Sequence, residues 1–193
     1  MHEALIGIES LRSFRRFMIR PEFRKALEGQ QQILALLWTF FFCGIFVYLW
    51  LTEFVLRSSG FSAGSSVAET VRIVLWLLAL IDLGTFVWWR KRFLTQEAIL
   101  GGSKKYTTLQ VLQEHKTPIE ERAAQVASSY VTSKIVGFAI LEATAVYGFV
   151  LALIGGYIRD QYLFSLASGV LLLFEFPSKA FLEKILRKIE APG

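Results

Sequence analysis

The sequence predicts an all-α, polytopic membrane protein whose four transmembrane helices form an antiparallel bundle. Of the 193 residues, 54% are hydrophobic and only 19% are charged, whereas about a quarter of the residues of a soluble domain are charged. The apolar residues are grouped in four long blocks, and Lys and Arg are concentrated in alternate connections between the blocks. These features together favour a helical membrane protein over a soluble domain.

Four apolar blocks are the candidate membrane spans. A helix needs about 20 residues to cross a hydrocarbon core of about 30 Å. Residues 33–52 are twenty residues without a charge, residues 73–89 are seventeen with one, and residues 135–158 are twenty-four with one. Residues 161–174 are fourteen without a charge. This last block predicts a fourth span, and the alternative is a re-entrant or interfacial segment.

The distribution of basic residues predicts the orientation of the spans. Eighteen Lys and Arg residues lie in the N-terminal segment, the loop between the second and third spans, and the C-terminal tail, and three lie in the other connections. Because short cytoplasmic loops carry the excess of Lys and Arg, both termini and the long loop are predicted to be cytoplasmic. We expect a bacterial inner-membrane protein. Its net charge of +5 is expected to interact with anionic lipid rather than with nucleic acid.

The prediction divides the chain into five segments. Residues 1–29 and 178–193 are amphipathic cytoplasmic segments, residues 30–92 and 134–177 are transmembrane hairpins, and residues 93–133 form a cytoplasmic loop. In that loop, Thr117 followed by Pro118 and Glu120 is the pattern of a capped helix start. Since no Pro or Gly follows before Gly137, one helix is predicted to continue from Pro118 into the third span.

Both terminal segments have an apolar stripe at helical spacing, which is typical of a helix in the membrane interface. We expect these stripes to dock on a membrane or a partner protein, and the alternative is a solvated helix end. The stripes consist of Leu5, Ile8, Leu11, Phe14 and Met18 in the first segment, and of Phe181, Leu182, Ile185, Leu186 and Ile189 in the last.

Two of the spans contain a carboxylate. Asp82 lies eight residues before Arg90, and Glu142 lies eight residues after Lys134, so each acid is about 12 Å from a cytoplasmic basic residue at a rise of about 1.5 Å per residue. At a similar depth, the two acids could share a proton or bind a cation. The alternative is that each forms a hydrogen bond within the bundle and fixes helix packing. Because a charge near the bilayer centre costs about 2.5–3.5 kcal/mol, we expect Glu142 to face protein and to carry a proton at neutral pH.

Small residues near Glu142 predict close helix contact, either within the chain or between copies. Tyr147 can donate a hydrogen bond nearby. Glu53 and Glu175 lie close to span ends, where we expect them to reach lipid headgroups. The predicted packing positions are Ala139, Ala143, Gly148, Ala152 and Gly156.

The run AILEATAVYGFVLALI, residues 139–154, resembles the ion-binding helix of the ATP synthase subunit c and vacuolar proteolipid family. In that family an essential carboxylate is followed by a similar run, so the resemblance implies that Glu142 carries a proton or sodium ion beside the Tyr147 hydroxyl. The second span lacks the glycine-rich repeat of the family's partner helix and contains Asp82 instead. The four-span layout also resembles small bacterial membrane proteins of proteolipid type, a resemblance that implies no activity.

Three classes of function remain open. The sequence has no Gly-rich phosphate loop, nucleophile elbow or metal-ligand spacing, and its two histidines lie outside the spans. We therefore expect a non-catalytic membrane protein without cofactor or metal, which forms an oligomer or is an accessory subunit of a larger complex. The alternatives are proton or sodium translocation by Glu142 with Asp82, and a membrane enzyme or lipid-binding protein.

Overall fold

The computed structural model describes residues 19–56, 66–101 and 117–190. Every regular element in these ranges is helical, so the predicted all-α class is confirmed. The predicted N-terminal apolar stripe lies within residues 1–18, outside the described residues.

The described ranges contain six α-helices and one π-helical turn. Three of them are long and apolar enough to cross a membrane: α1 with its π turn, α2 and α4. Helices α5 and α6 are long and apolar enough only when they are taken together as a pair bent by 46°. Such a pair is a broken span or a re-entrant loop. The helices are α1 (Pro21–Trp50, continued by the π turn Leu51–Leu56), α2 (Ser66–Phe93), α3 (Gln96–Gly101), α4 (Pro118–Gly155), α5 (Ile158–Phe174) and α6 (Lys179–Glu190).

Helix α4 begins at Pro118 and continues without interruption to Gly155, as the capping pattern and the lack of breakers predict. The Thr117 hydroxyl accepts a hydrogen bond of 3.3 Å from the backbone N–H of Glu120, which is one half of a capping box. The Glu120 side chain is directed elsewhere: both of its carboxylate oxygens accept hydrogen bonds from the Arg20 guanidinium.

The contacts divide the chain into two units, of which the first comprises residues 1–33, 96–132 and 178–193. Its described core joins the beginning of α1, the beginning of α4 and helix α6 through Phe23, Leu27, Ala123, Ala127 and Leu186. Apolar residues of the C-terminal stripe are therefore covered by this chain's own helices. The prediction that this stripe docks on a membrane or a partner is wrong for Leu186, which packs in the core.

The second unit comprises residues 34–95 and 133–177, and α4 contacts three other helices in it. Helix α1 runs parallel to α4, because the ring of Phe41 lies 6.1 Å from that of Phe138 and the ring of Tyr48 lies 5.4 Å from that of Phe149. The assignment of the two units to cytoplasm and membrane stays a prediction.

Helices α2 and α5 run antiparallel to α4 in this unit. Along α2 the contacts pass from Trp89, whose indole N–H donates to the Ser133 carbonyl, to Asp82 with Tyr147. Along α5 they pass from Glu175 with Lys134 to Ser168 with the Leu141 carbonyl and Gln161 with Gly148. Positions 134, 141 and 148 of α4 thus form one face at seven-residue spacing, which is the expected repeat of a helix–helix contact.

Helices α4 and α5 approach closely at Gly148. Of the described glycines in these two helices outside the connecting turn, it has the least space for a side chain. A Cβ atom there would lie 3.0 Å from the Cα of Gln161 and from the Cβ of Phe164, so only glycine fits without a shift of backbone. Gly156 has another role: it is exposed and has φ 68, a left-handed conformation that ends the helix and starts the tight connection to α5.

The other predicted packing positions differ in their surroundings. Ala152 is 1% exposed and Ala143 is half-buried, whereas Ala139 is exposed. The described residues therefore leave much of the Ala139 side chain uncovered.

Candidate functional site

Asp82 and Glu142, the acids of two candidate spans, lie at a similar level along the helix axes of the second unit. Arg90 of α2 and Lys134 of α4 both form ion pairs with Glu175, which aligns the two helices at that point. Asp82 and Glu142 are each eight residues from this level, in the same direction along the helix axes, so both are about 12 Å from it. The predicted similarity in depth follows from this register.

Glu142 is paired with the first helix. The Tyr48 hydroxyl donates a hydrogen bond of 3.1 Å to Oε1 of Glu142. A Cβ atom at Gly44, one turn before Tyr48, would lie 3.3 Å from the same oxygen. The lack of a side chain at Gly44 therefore gives the carboxyl group room against α1, and Tyr48 reaches back toward the N-terminal end of its helix, as helical side chains do.

Asp82 is paired with α4 through Tyr147, whose hydroxyl donates a hydrogen bond of 2.9 Å to Oδ2 of Asp82. The resemblance to the proteolipid helix implied that Tyr147 lies beside Glu142. Among the described residues the Tyr147 hydroxyl is bonded to Asp82, and the hydroxyl bonded to Glu142 is that of Tyr48. Five residues of α-helix correspond to a rotation of about 140°. Tyr147 consequently faces α2, whereas Glu142 faces α1.

The hydrogen bonds of Asp82 and Glu142 connect neighbouring helices and do not connect the two acids to each other. Among the described residues, each acid has a tyrosine of another helix as its hydrogen-bond partner. A carboxyl oxygen accepts such a bond whether the acid is ionised or protonated. Each pair therefore satisfies a polar group that would otherwise be costly in hydrocarbon, and the two pairs attach α1 and α2 to α4.

Glu175 forms a charged cluster at one end of the second unit. Its side chain is 5% exposed and contacts Lys134 Nζ at 2.5 Å and Arg90 Nε at 2.9 Å. Lys134 also donates to the Glu175 carbonyl oxygen at 3.0 Å. The expectation that Glu175 reaches lipid headgroups is wrong, because two cations of neighbouring helices hold it inside the protein.

A second charged cluster lies at the opposite end of this unit. The Arg72 guanidinium contacts the Asp160 carboxylate at 2.6 Å and lies 4.7 Å from the centre of the Tyr157 ring. Tyr157 donates a hydrogen bond of 3.0 Å to Glu69. Desolvation raises the pKa of Tyr157, and the hydrogen bond to Glu69 raises it further. This cluster attaches the beginning of α2 to the α4–α5 connection.

Glu53 is also held by protein. It lies in the π turn that follows α1 and accepts a hydrogen bond of 2.5 Å from the Tyr162 hydroxyl of α5. The sequence analysis expected Glu53 to reach lipid headgroups and did not predict this contact with α5. Within the described ranges, no group of three or more His, Cys, Asp and Glu residues is arranged to hold a metal ion.

The sequence interpretation missed Tyr48 and the role of Glu175. For Glu175, a usable signal was present: the predicted topology places Lys134, Arg90 and Glu175 at the same membrane face, where opposite charges attract. For Tyr48 the depth was readable from the sequence, but the partner was not, since the rotation of α1 about its axis is set by tertiary packing.

The fold and these contacts define a class: over residues 19–56, 66–101 and 117–190 the protein is all-helical, with three helices that can cross a membrane, or four with the bent pair. Comparison of the chain with protein-family models, curated protein sequences and solved structures found no match.

Proposed function

We propose that this chain is a non-catalytic integral membrane protein that acts as a subunit of an oligomer or of a larger membrane complex. In this proposal it crosses a bacterial inner membrane four times in an antiparallel bundle, with both termini in the cytoplasm. The eighteen-to-three distribution of Lys and Arg supports the orientation.

One observation carries the proposal: each intramembrane acid accepts a hydrogen bond from a tyrosine of a neighbouring helix. This is the arrangement that a structural role requires, since a buried polar group is tolerated when it is paired. Glu142 and Asp82 then maintain the packing of α1 and α2 against α4.

The subunit role is supported by the surface of α4. This helix is the most buried of the three candidate spans. In its apolar stretch 44% of the residues are buried, compared with 11% in each of the other two. It nevertheless exposes Ala139 near Glu142. A small residue allows another helix to approach closely in lipid, so a second copy or a partner helix can cover this position.

Ion translocation is the second candidate. Only Oε1 of Glu142 is hydrogen-bonded within the described residues, and the side chain is half-buried. The second oxygen could therefore receive a proton or contact a sodium ion. The resemblance of residues 139–154 to the proteolipid ion-binding helix supports the same reading.

Glu142→Gln separates the two candidates. Glutamine keeps an oxygen that accepts the Tyr48 hydrogen bond but cannot exchange a proton. We expect the variant to keep the wild-type assembly mass in polymer nanodiscs, and proton and sodium flux in reconstituted vesicles to be the same for both proteins.

Asp82→Asn makes the same change at the other acid–tyrosine pair and shows whether Asp82 also takes part in any flux. Loss of flux in Glu142→Gln with an unchanged mass would favour ion translocation over the structural role. A wild-type mass corresponding to a single chain without partners would contradict the subunit role.

A further inference from the structure

Two adjacent tryptophans near the end of α2 have different surroundings. The indole N–H of Trp89 donates to the Ser133 carbonyl of α4 at 3.0 Å, and the Trp89 side chain is half-buried. Trp88 is 58% exposed, and among the described residues its indole N–H has no acceptor. Its ring lies 5.9 Å from that of Phe93. Trp88 therefore keeps an unused hydrogen-bond donor on an exposed side chain.

The last turn of α2 is basic, and only part of its charge is neutralised. Its cations are Arg90, Lys91 and Arg92. Arg90 contacts the Glu175 carboxylate at 2.9 Å. Lys91 and Arg92 are exposed and form no ion pair within the described ranges. Since the helix dipole contributes only about half a negative charge at this end, positive charge remains without an anion.

These donors lie close together on the surface of α2. Lys91 is three residues and Arg92 is four residues after Trp88, and side chains at these separations are neighbours on a helix. Gly84 lies about one turn before Trp88 and is exposed, and a Cβ atom at Gly84 would meet nothing within 4 Å. The surface thus combines two cations and an indole N–H with open space further along the helix.

We propose that this end of α2 binds the headgroup of an anionic phospholipid, with an acyl chain lying over Gly84. The inference rests on the proposed membrane insertion of α2 and not on the subunit role. The phosphate contacts Lys91 and Arg92, since ammonium and guanidinium groups both bind phosphate. The Trp88 indole N–H donates to a lipid oxygen at the same depth, which is the usual position of tryptophan at a membrane interface.

Charge complementarity selects this occupant over the alternatives. A choline headgroup brings a quaternary ammonium group, which the two unpaired cations repel. A helix of a second copy in the same orientation brings its own Lys91 and Arg92 to the same level, where like charges also repel. An anionic headgroup supplies the charge that this surface lacks, and basic residues beside a membrane attract such lipids.

Native mass spectrometry of the full chain tests the site. The protein is reconstituted in vesicles with equal amounts of phosphatidylglycerol and phosphatidylcholine and is released in mild detergent. We expect the wild type to retain phosphatidylglycerol in preference to phosphatidylcholine. The double variant Lys91→Gln with Arg92→Gln should retain about tenfold less phosphatidylglycerol. Trp88→Phe should retain several-fold less, because phenylalanine keeps an aromatic ring but lacks the N–H.

Lys184→Gln with Arg187→Gln is the matched control. Lys184 and Arg187 are also an exposed Lys and Arg near the C-terminal end of a helix, in this case α6. The control removes the same charge elsewhere, so retention of phosphatidylglycerol should be unchanged. The exchange Lys91→Arg with Arg92→Lys keeps both charges at the site and should retain the lipid as well.

The proposal is overturned by an equal loss in the matched control, by equal retention of the two lipids in the wild type, or by no retained lipid. Displacement by inorganic phosphate would assign the cations to a free anion, and a dimer that Gly84→Leu dissociates would assign the surface to a second copy. Both results also overturn it. Resistance of the wild type to extraction from membranes by alkaline carbonate measures insertion separately, so a failed lipid site is distinguished from a failed membrane assignment.

Discussion

Glu175→Leu is expected to lower the free energy of unfolding by about 3–5 kcal/mol, the usual cost of removing one partner of a buried ion pair. The Glu175 side chain is 5% exposed and that of Lys134 is 11% exposed, so the substitution leaves a buried ammonium group without its carboxylate. Titration of the reconstituted protein with a denaturing detergent measures the change.

Two further variants separate the buried pair from the exposed one. Arg90 binds the same carboxylate, but its side chain is 55% exposed, so Arg90→Met should cost only about 0–1 kcal/mol. The double variant Glu175→Leu with Lys134→Met removes both buried charges and should recover most of the loss. Equal costs for Arg90→Met and Glu175→Leu would show that burial of Glu175 does not determine its contribution.

Arg20→Met is expected to cost about 3 kcal/mol in the first unit, because it leaves a fully buried carboxylate without its guanidinium. The Glu120 side chain is 0% exposed and receives hydrogen bonds of 2.7 Å and 2.9 Å from Arg20. Arg20→Lys should recover only part of the loss, since lysine cannot reproduce the two-pronged contact. Hydrogen exchange of residues 118–132 follows the loosening of this part of α4.

Glu22→Gln is the matched control for this prediction. Glu22 also lies near Arg20, at 3.9 Å, but its side chain is 85% exposed, and an exposed pair contributes about 0–1 kcal/mol. Unchanged exchange in Arg20→Met would refute the role of the Arg20–Glu120 pair in holding the beginning of α1 against α4.

The elements of the fold were largely readable from the sequence because their signals are local. Thr117, Pro118 and the lack of breakers up to Gly137 predict the start and the continuity of α4, and the apolar blocks predict the long helices. The fourth block was ambiguous for a physical reason: α5 has 17 residues, at the lower end of the range for a spanning helix, and it forms a candidate span only as a bent pair with α6.

The sequence predicts the level of the two acids along their helices, but it does not predict their hydrogen-bond partners. Counting residues from Arg90 and Lys134 predicts the level of Asp82 and Glu142, since helical rise is constant. The partners depend on the rotation of each helix, which the packing of all neighbours sets together. Tyr147 therefore was assigned to Glu142 by resemblance, whereas it binds Asp82, and the partner of Glu142 is Tyr48 of α1.

A double-mutant cycle on Tyr48 and Glu142 tests most directly whether this carboxyl group holds helices together. Tyr48→Phe, Glu142→Leu and the double variant are unfolded in bilayer-like bicelles, and the coupling free energy is calculated from the four proteins. Interhelical hydrogen bonds in membranes contribute on average about 0.6 kcal/mol and at most about 1.7 kcal/mol, and we expect a favourable coupling in this range. A coupling of zero would contradict the structural role of Glu142.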